Sequence, residues 1–139
     1  MRWIKRAVLI LLAMIIASAV LLALSWKWSE LKRDRFYQAR PLLSAMNSVH
    51  DGVWTNNAFR ARELLLQRMP LGSAERSVID VLEREGFGCQ ASSRKYEKGT
   101  NCQLLAPAGL GYMRWIIDLE FSDSKQLTDA RIEIWNIFL

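Results

Sequence analysis

The chain has 139 residues and a formal net charge of +5, from 19 Lys and Arg against 14 Asp and Glu. That length holds one small domain plus an appendage and excludes a multidomain enzyme. A hydrophobic share of 51% excludes a disordered chain, and its concentration in one N-terminal run excludes a polytopic membrane protein.

The charge is unevenly placed. Arg2, Lys5 and Arg6 precede Ala7–Leu24, which carries no charged residue. Lys27, Lys32, Arg33, Arg35 and Arg40 follow it, against Glu30 and Asp34. From Pro41 onward 11 basic residues meet 12 acidic ones. A nucleic-acid module carries its positive patch on the folded part. Here the basic excess only flanks an apolar run, so no nucleic-acid partner is expected.

Seventeen of the 18 residues from Ala7 to Leu24 are apolar. As a helix they span about 27 Å, close to the ~30 Å hydrocarbon core of a bilayer. Trp3 lies at one end and Trp26 and Trp28 at the other, where indole rings suit membrane interfaces. Ala17-Ser18-Ala19 has the form of a signal-peptide cleavage site. Cleavage there would leave Val20–Leu24 as an exposed apolar start, so residues 1–26 are assigned to an uncleaved transmembrane anchor with the lipid bilayer as its partner. No Cys lies near this run, which excludes a lipoprotein signal. Both flanks are basic, so charge leaves the orientation open.

Residues 27–56 are assigned to a juxtamembrane helical linker. Ser29–Arg40 is polar and compatible with a continued helix. Pro41 breaks or restarts it. Leu42, Leu43, Met46 and Val49 then recur at helical spacing, and Asp51-Gly52 ends that piece.

Residues 57–139 are assigned to an α+β domain. Thr55 or Asn56 is placed to cap a helix over Asn57–Arg68, and Met69-Pro70-Leu71-Gly72 forms a turn. Ser73 is expected to cap a helix over Ala74–Glu85 that buries Val78, Val81 and Leu82 and stops at Gly86. This is a helix–turn–helix in outline without the basic face of a DNA reader.

From Phe87 the period changes to two. Cys89–Ser92 and Asn101–Ala106 are expected as short strands, with Pro107–Gly111 as a turn or loop. Tyr112–Phe121 alternates: Met113, Trp115, Ile117, Leu119 and Phe121 face one way, and Tyr112, Arg114, Ile116, Asp118 and Glu120 the other. Ser122–Gln126 is a turn. The last strand sets Ala130, Ile132, Ile134, Asn136 and Phe138 against Asp129, Arg131, Glu133, Trp135 and Ile137. One apolar and one largely polar face is the pattern of an antiparallel sheet covered on one side. Two registers fit: one places Asp118 opposite Arg131, the next Arg114 opposite Glu133. The expected fold is therefore α+β, an N-terminal transmembrane helix followed by helices packed on an antiparallel meander of three or four strands.

Cys89 and Cys102 sit on the two arms of one expected hairpin, where they come within bonding distance. A disulfide there implies a compartment outside the reducing cytosol, the periplasm of a bacterial cell. Two unrelated thiols are the alternative. The two cysteines and the only histidine, His50, are too few for a closed zinc site, and no C-x-x-C motif is present. No metal or cofactor is expected.

The piece LLLQRMPLGSAERSVIDVLEREGFGC resembles the helix–turn–helix opening of small envelope proteins of the BamE (SmpA/OmlA) type and of the related β-lactamase-inhibitor-protein fold. Gly72-Ser73, Val78, Leu82 and Gly86 stand at the helix start, helix core and helix end. The later YMRWIIDLEFSDSKQLTDARIEIW is similar to that fold's final hairpin. The likeness covers about residues 60–139. It implies helices on an antiparallel sheet, used as a binding surface. The missing lipidation Cys takes away the part specific to outer-membrane barrel assembly.

Catalytic chemistry has little support. His50-Asp51 is the one His–acid neighbour and has no nucleophile motif around it. Glu83 and Glu85 lie two apart on one helix, do not share a face, and are read as solvated. Asp118 and Glu120 share a strand face, where nearby Arg residues suit surface ion pairs. No phosphate-binding loop, nucleophile elbow or H-E-x-x-H occurs, so no enzyme is expected. Tyr112, Arg114, Ile116, Trp135 and Ile137 form the candidate partner-binding set, with aromatic and aliphatic area among charges. The competing expectation is that helices cover this face.

The sequence thus describes a single-pass inner-membrane protein whose periplasmic domain binds an envelope protein, in envelope assembly or maintenance. An immunity or inhibitor protein is the alternative within binding functions. A pilin-like subunit fits less well, because the leader lacks a Gly-Phe processing site and an early Glu.

Overall fold

The computed structural model describes residues 2–49, 58–91, 99–109 and 111–138. It divides into two compact units, Met1–Asp34 and Arg35–Leu139.

The first unit is helical. It holds most of α1 (Arg2–Gln38), within which Val8–Gln38 is long and apolar enough to cross a membrane. Two serines interrupt the apolar run without leaving a hydroxyl unpaired. Ser18 Oγ donates to the Met14 carbonyl at 2.6 Å and Ser25 Oγ to the Leu22 carbonyl at 2.8 Å. Such back-bonding is what lets a hydroxyl sit in a hydrocarbon environment. At the polar end, Trp26 Nε1 donates to Glu30 at 3.2 Å, and the Lys32 ammonium lies 5.9 Å from the Trp28 ring.

The second unit is α+β. The last turn of α1 and α2 (Pro41–Ser48), α3 (Phe59–Arg68) and α4 (Glu75–Arg84) form one layer. β1 (Gly88–Ala91), β2 (Gly99–Ala108), β3 (Gly111–Phe121) and β4 (Leu127–Phe138) form the other, an antiparallel meander in order β1-β2-β3-β4. The core between them joins Leu43, Met46, Ala61, Leu65, Val78 and Leu82 of the helices to Cys102, Ala106, Trp115, Ile117, Leu119, Ala130, Ile132 and Ile134 of the sheet.

The boundary of the folded unit falls at Arg35 rather than at residue 57. The stretch expected as a linker over 27–56 divides accordingly. α1 continues to Gln38, and α2 belongs to the core because Leu42, Leu43 and Met46 are all buried. Phe36 and Tyr37 pack on the same core, edge to face at 5.6 Å, and the Arg40 guanidinium lies 3.9 Å over the Phe36 ring. The expected capping residues Thr55 and Asn56, the Asp51-Gly52 stop and His50 lie outside the described residues.

α4 starts one residue later than its sequence suggests, and Ser73 does not cap it. The Ser73 hydroxyl donates instead to the Pro70 carbonyl at 2.6 Å, closing the turn. Ala74 is extended because it bridges to Gln126, and the Glu75 N–H goes to the Lys125 carbonyl at 2.9 Å. The helix end follows the sequence. Gly86 has φ +92°, its N–H donates to Glu83 O, and Phe87 N–H donates to Leu82 O. This pair of bonds needs a left-handed residue at the position glycine fills.

Cys89 and Cys102 are direct cross-strand partners on β1 and β2 and are joined by a disulfide. β2 runs on through Pro107 and Ala108, which the sequence assigned to the following turn, and pairing closes at Ala108↔Gly111.

Candidate partner-binding face

β3 and β4 alternate as their sequences require, and the pairing register places Asp118 opposite Arg131. Arg114 consequently faces Trp135, not Glu133. With one face of the sheet packed on α2, α3 and α4, the outer face carries the other set of residues.

That outer face is built of cross-strand rows. Pro107, Tyr112 and Ile137 form one, Leu105, Arg114 and Trp135 the next, and Gln103, Ile116 and Glu133 a third. All five candidate residues, Tyr112, Arg114, Ile116, Trp135 and Ile137, thus lie together on adjacent rows. Tyr112, Trp135 and Ile137 are exposed, and Ile116 is half-buried. The helices cover the opposite face, where Trp115 and Ile117 are fully buried.

Leu105 and Pro107 complete the patch and were not in the candidate set. Leu105 is 50% exposed, more than Trp135 at 48%. Leu105 lay within the expected strand Asn101–Ala106, and Pro107 follows when the period-two alternation of β2 is carried past Ala106. The Pro-Ala-Gly run read as a turn and hid it, because a proline is unusual inside a strand.

Beyond the apolar rows the face becomes polar and is internally bonded. Arg114 Nη2 donates to Gln103 Oε1 at 2.5 Å, Gln103 Nε2 donates to Asn101 Oδ1 at 2.5 Å, and Asn101 Nδ2 donates to Asp118 at 2.6 Å. This relay holds the Arg114 guanidinium on the seam between apolar and polar halves. The expected Asp118–Arg131 ion pair does not form despite the register. Arg131 reaches diagonally to Glu120 at 3.2 Å, and Asp118 is engaged by Asn101. Aromatic and aliphatic side chains beside one oriented cation give this strip a composition like that of protein interface cores.

A concavity of about 660 Å³ opens among the helices, lined by Pro41 and Ala45 of α2, Leu64 and Arg68 of α3, and Val81 and Arg84 of α4. Glu85 also lines it, and its role corrects the expectation of a solvated carboxylate. It is 8% exposed and accepts the backbone N–H groups of Leu42 at 3.2 Å and Leu43 at 3.1 Å. A carboxylate there satisfies the otherwise unpaired N–H groups at the start of α2, where the helix dipole favours negative charge. Pro41 opens α2 and Arg40 provides no side-chain cap, so the cap comes from Glu85, the residue that follows α4.

On the sheet edge, Arg62 of α3 donates from Nε to the Ala130 carbonyl at 2.5 Å and from Nη2 to Asp129 at 2.6 Å. The Arg62 hydrogen bond holds the Asp129 carboxyl below the usual carboxylate range. Partial burial opposes this, and the Ala130 N–H and the Arg131 charge add to it.

Compared with known families, curated proteins and solved structures, the chain finds no match in any of the three.

Proposed function

We propose that this chain is a single-pass protein of the bacterial inner membrane, with its α+β domain in the periplasm binding another envelope protein through the outer face of the sheet. The carrying observation is the open patch of Leu105, Tyr112, Trp135 and Ile137 on the face opposite the helices. Large side chains exposed together on one side of a small domain mark a surface that is covered in use. The Cys89–Cys102 disulfide supports the compartment, since such bonds persist outside the reducing cytosol. The apolar part of α1 supports the anchor. Helices layered on an antiparallel meander also agree with the BamE-like resemblance, in which this sheet serves binding and not catalysis. A role in envelope assembly or maintenance follows from that likeness.

Two measurements test the proposal. An alkaline phosphatase fused to the C-terminus is expected to be active, since the enzyme matures only outside the cytosol. A photo-crosslinking residue at Tyr112 or Ile137 is expected to give one discrete adduct with an envelope protein in cells, and none from exposed Arg76 on α4. An inactive fusion overturns the topology. Absence of adducts from both sheet positions overturns the binding face, and an adduct with a secreted toxin or hydrolase converts the role to inhibition.

A further inference from the structure

Arg114 is exposed in the middle of the outer face, in the row it shares with Leu105 and Trp135. On one side of it lies the apolar row of Pro107, Tyr112 and Ile137. The described carboxylates of this face are committed elsewhere. Asp118 accepts from Asn101 Nδ2, and Glu120 and Asp129 pair with Arg131. Glu133 accepts the Trp135 indole N–H at 3.4 Å. Among the described residues no carboxylate lies within ion-pair distance of the Arg114 guanidinium.

The guanidinium is also held in one orientation. An ionised Asp118 can only accept hydrogen bonds, so Asn101 turns its NH2 toward it. The Asn101 oxygen then faces Gln103, which turns its own NH2 that way and leaves Oε1 for Arg114 Nη2. One N–H of the fork is fixed in this way, and the other donors are uncommitted. A planar fork set in place receives a carboxylate on two parallel N–H bonds.

We infer that the protein segment covering this face seats an Asp or Glu carboxylate on Arg114, between apolar side chains that pack on Tyr112, Trp135 and Ile137. The inference rests on the reading of the outer face as a binding surface. Covering the patch strips water from Arg114. A guanidinium buried beside a neutral amide alone is costly, and a carboxylate from the partner offsets that cost. Glu133 does not meet this need, because it sits one row away and is turned to the Trp135 indole. A basic side chain from the partner would meet Arg114 as a like charge, so charge selects against it. The fitting partner is therefore an acidic segment with apolar flanks.

The test uses the full-length chain in nanodiscs of neutral lipid, with a photo-crosslinking residue at Ile137. The probes are matched peptides with Leu and Tyr on either side of a central Glu, Gln or Lys. Crosslinking yield against peptide concentration reads affinity at this face. The Glu peptide is expected to bind about tenfold more tightly than the Gln peptide, and the Lys peptide more weakly than either. Arg114→Gln is expected to bring the Glu and Gln peptides to about equal affinity. Arg114→Lys is expected to restore only part of the preference, since an ammonium lacks the planar fork. Circular dichroism and the intact disulfide report the fold of each variant. Should Arg114→Gln fail to fold, the Glu-to-Gln ratio with native Arg114 decides. Equal binding of the Glu and Gln peptides, a preference that survives in folded Arg114→Gln, or no crosslink from any peptide overturns the inference. The adducts formed in cells from Tyr112 and Ile137 decide the binding face separately.

Discussion

Arg62 on α3 reaches the Asp129 carboxylate on β4 at 2.6 Å, across 67 residues of chain. The same guanidinium holds the Ala130 carbonyl, so one side chain fixes a helix to the edge of the sheet. Both side chains are about one-third exposed (32% and 34%), and solvent screening limits what the pair contributes to about 1 kcal/mol.

The pair predicts an acid dependence. Asp129 has a lowered pKa in the folded state, so its contribution is fully present above the ordinary aspartate pKa and is lost as pH falls through the folded value. Asp129→Asn is expected to lower stability by about 1 kcal/mol at pH 7 and to flatten the loss of stability below about pH 4. Urea unfolding of both proteins at pH 7 and pH 3 checks this; an equal deficit at both values refutes it.

Glu85 predicts a larger and pH-7-visible effect. Truncation to Ala leaves the N–H groups of Leu42 and Leu43 without their acceptor in a buried site, at a cost of about 2 kcal/mol. Glu85→Gln keeps an acceptor oxygen and is expected to lose roughly half of that. Denaturant midpoints give the ranking, and α2 amides are expected to lose hydrogen-exchange protection first.

Gly99 predicts a steric effect. A Cβ there would collide with the Leu119 carbonyl oxygen, which is backbone and cannot swing aside. Gly99→Ala is expected to destabilise by about 2–3 kcal/mol. At Gly88 the nearest atom to a new Cβ is 3.9 Å away, so Gly88→Ala is expected to fold with little change. Thermal melts of the two variants separate them.

The disulfide predicts sensitivity to reductant. Cys89 and Cys102 close a loop with a sequence separation of 13. Opening it is expected to cost about 3 kcal/mol, a large share of the stability of so small a domain. Cys89→Ala/Cys102→Ala measured beside the reduced wild type checks the value, and a melting temperature unmoved by reductant refutes it.

Much of this architecture is local in origin, and local features are legible. Uncharged residues from Ala7 to Leu24 identify a membrane-length helix, because the hydrocarbon core tolerates nothing else over that span. Alternation from Tyr112 to Phe121 separates the two faces of β3, because successive side chains of a strand point oppositely. Gly86 marks the end of α4 because only glycine takes its φ without cost. The five candidate residues of the outer face follow from the same kind of alternation in β3 and in β4.

What only the tertiary structure decided depends on partners distant in sequence. The pattern of Leu42, Leu43 and Met46 indicates a helix but not that it belongs to the core, because its cap, Glu85, lies 42 residues beyond Leu43. Register chose Arg114 opposite Trp135, since the β3–β4 turn and the bonding of Gln126 and Leu127 set the offset, and either offset satisfied the charges. Pro107 joined the outer patch only once β2 extended through it. Composition and periodicity thus determined which surfaces this chain makes. The long-range hydrogen bonds and the strand offset decided which residues share them, because those energies are realised only when the chain has closed on itself.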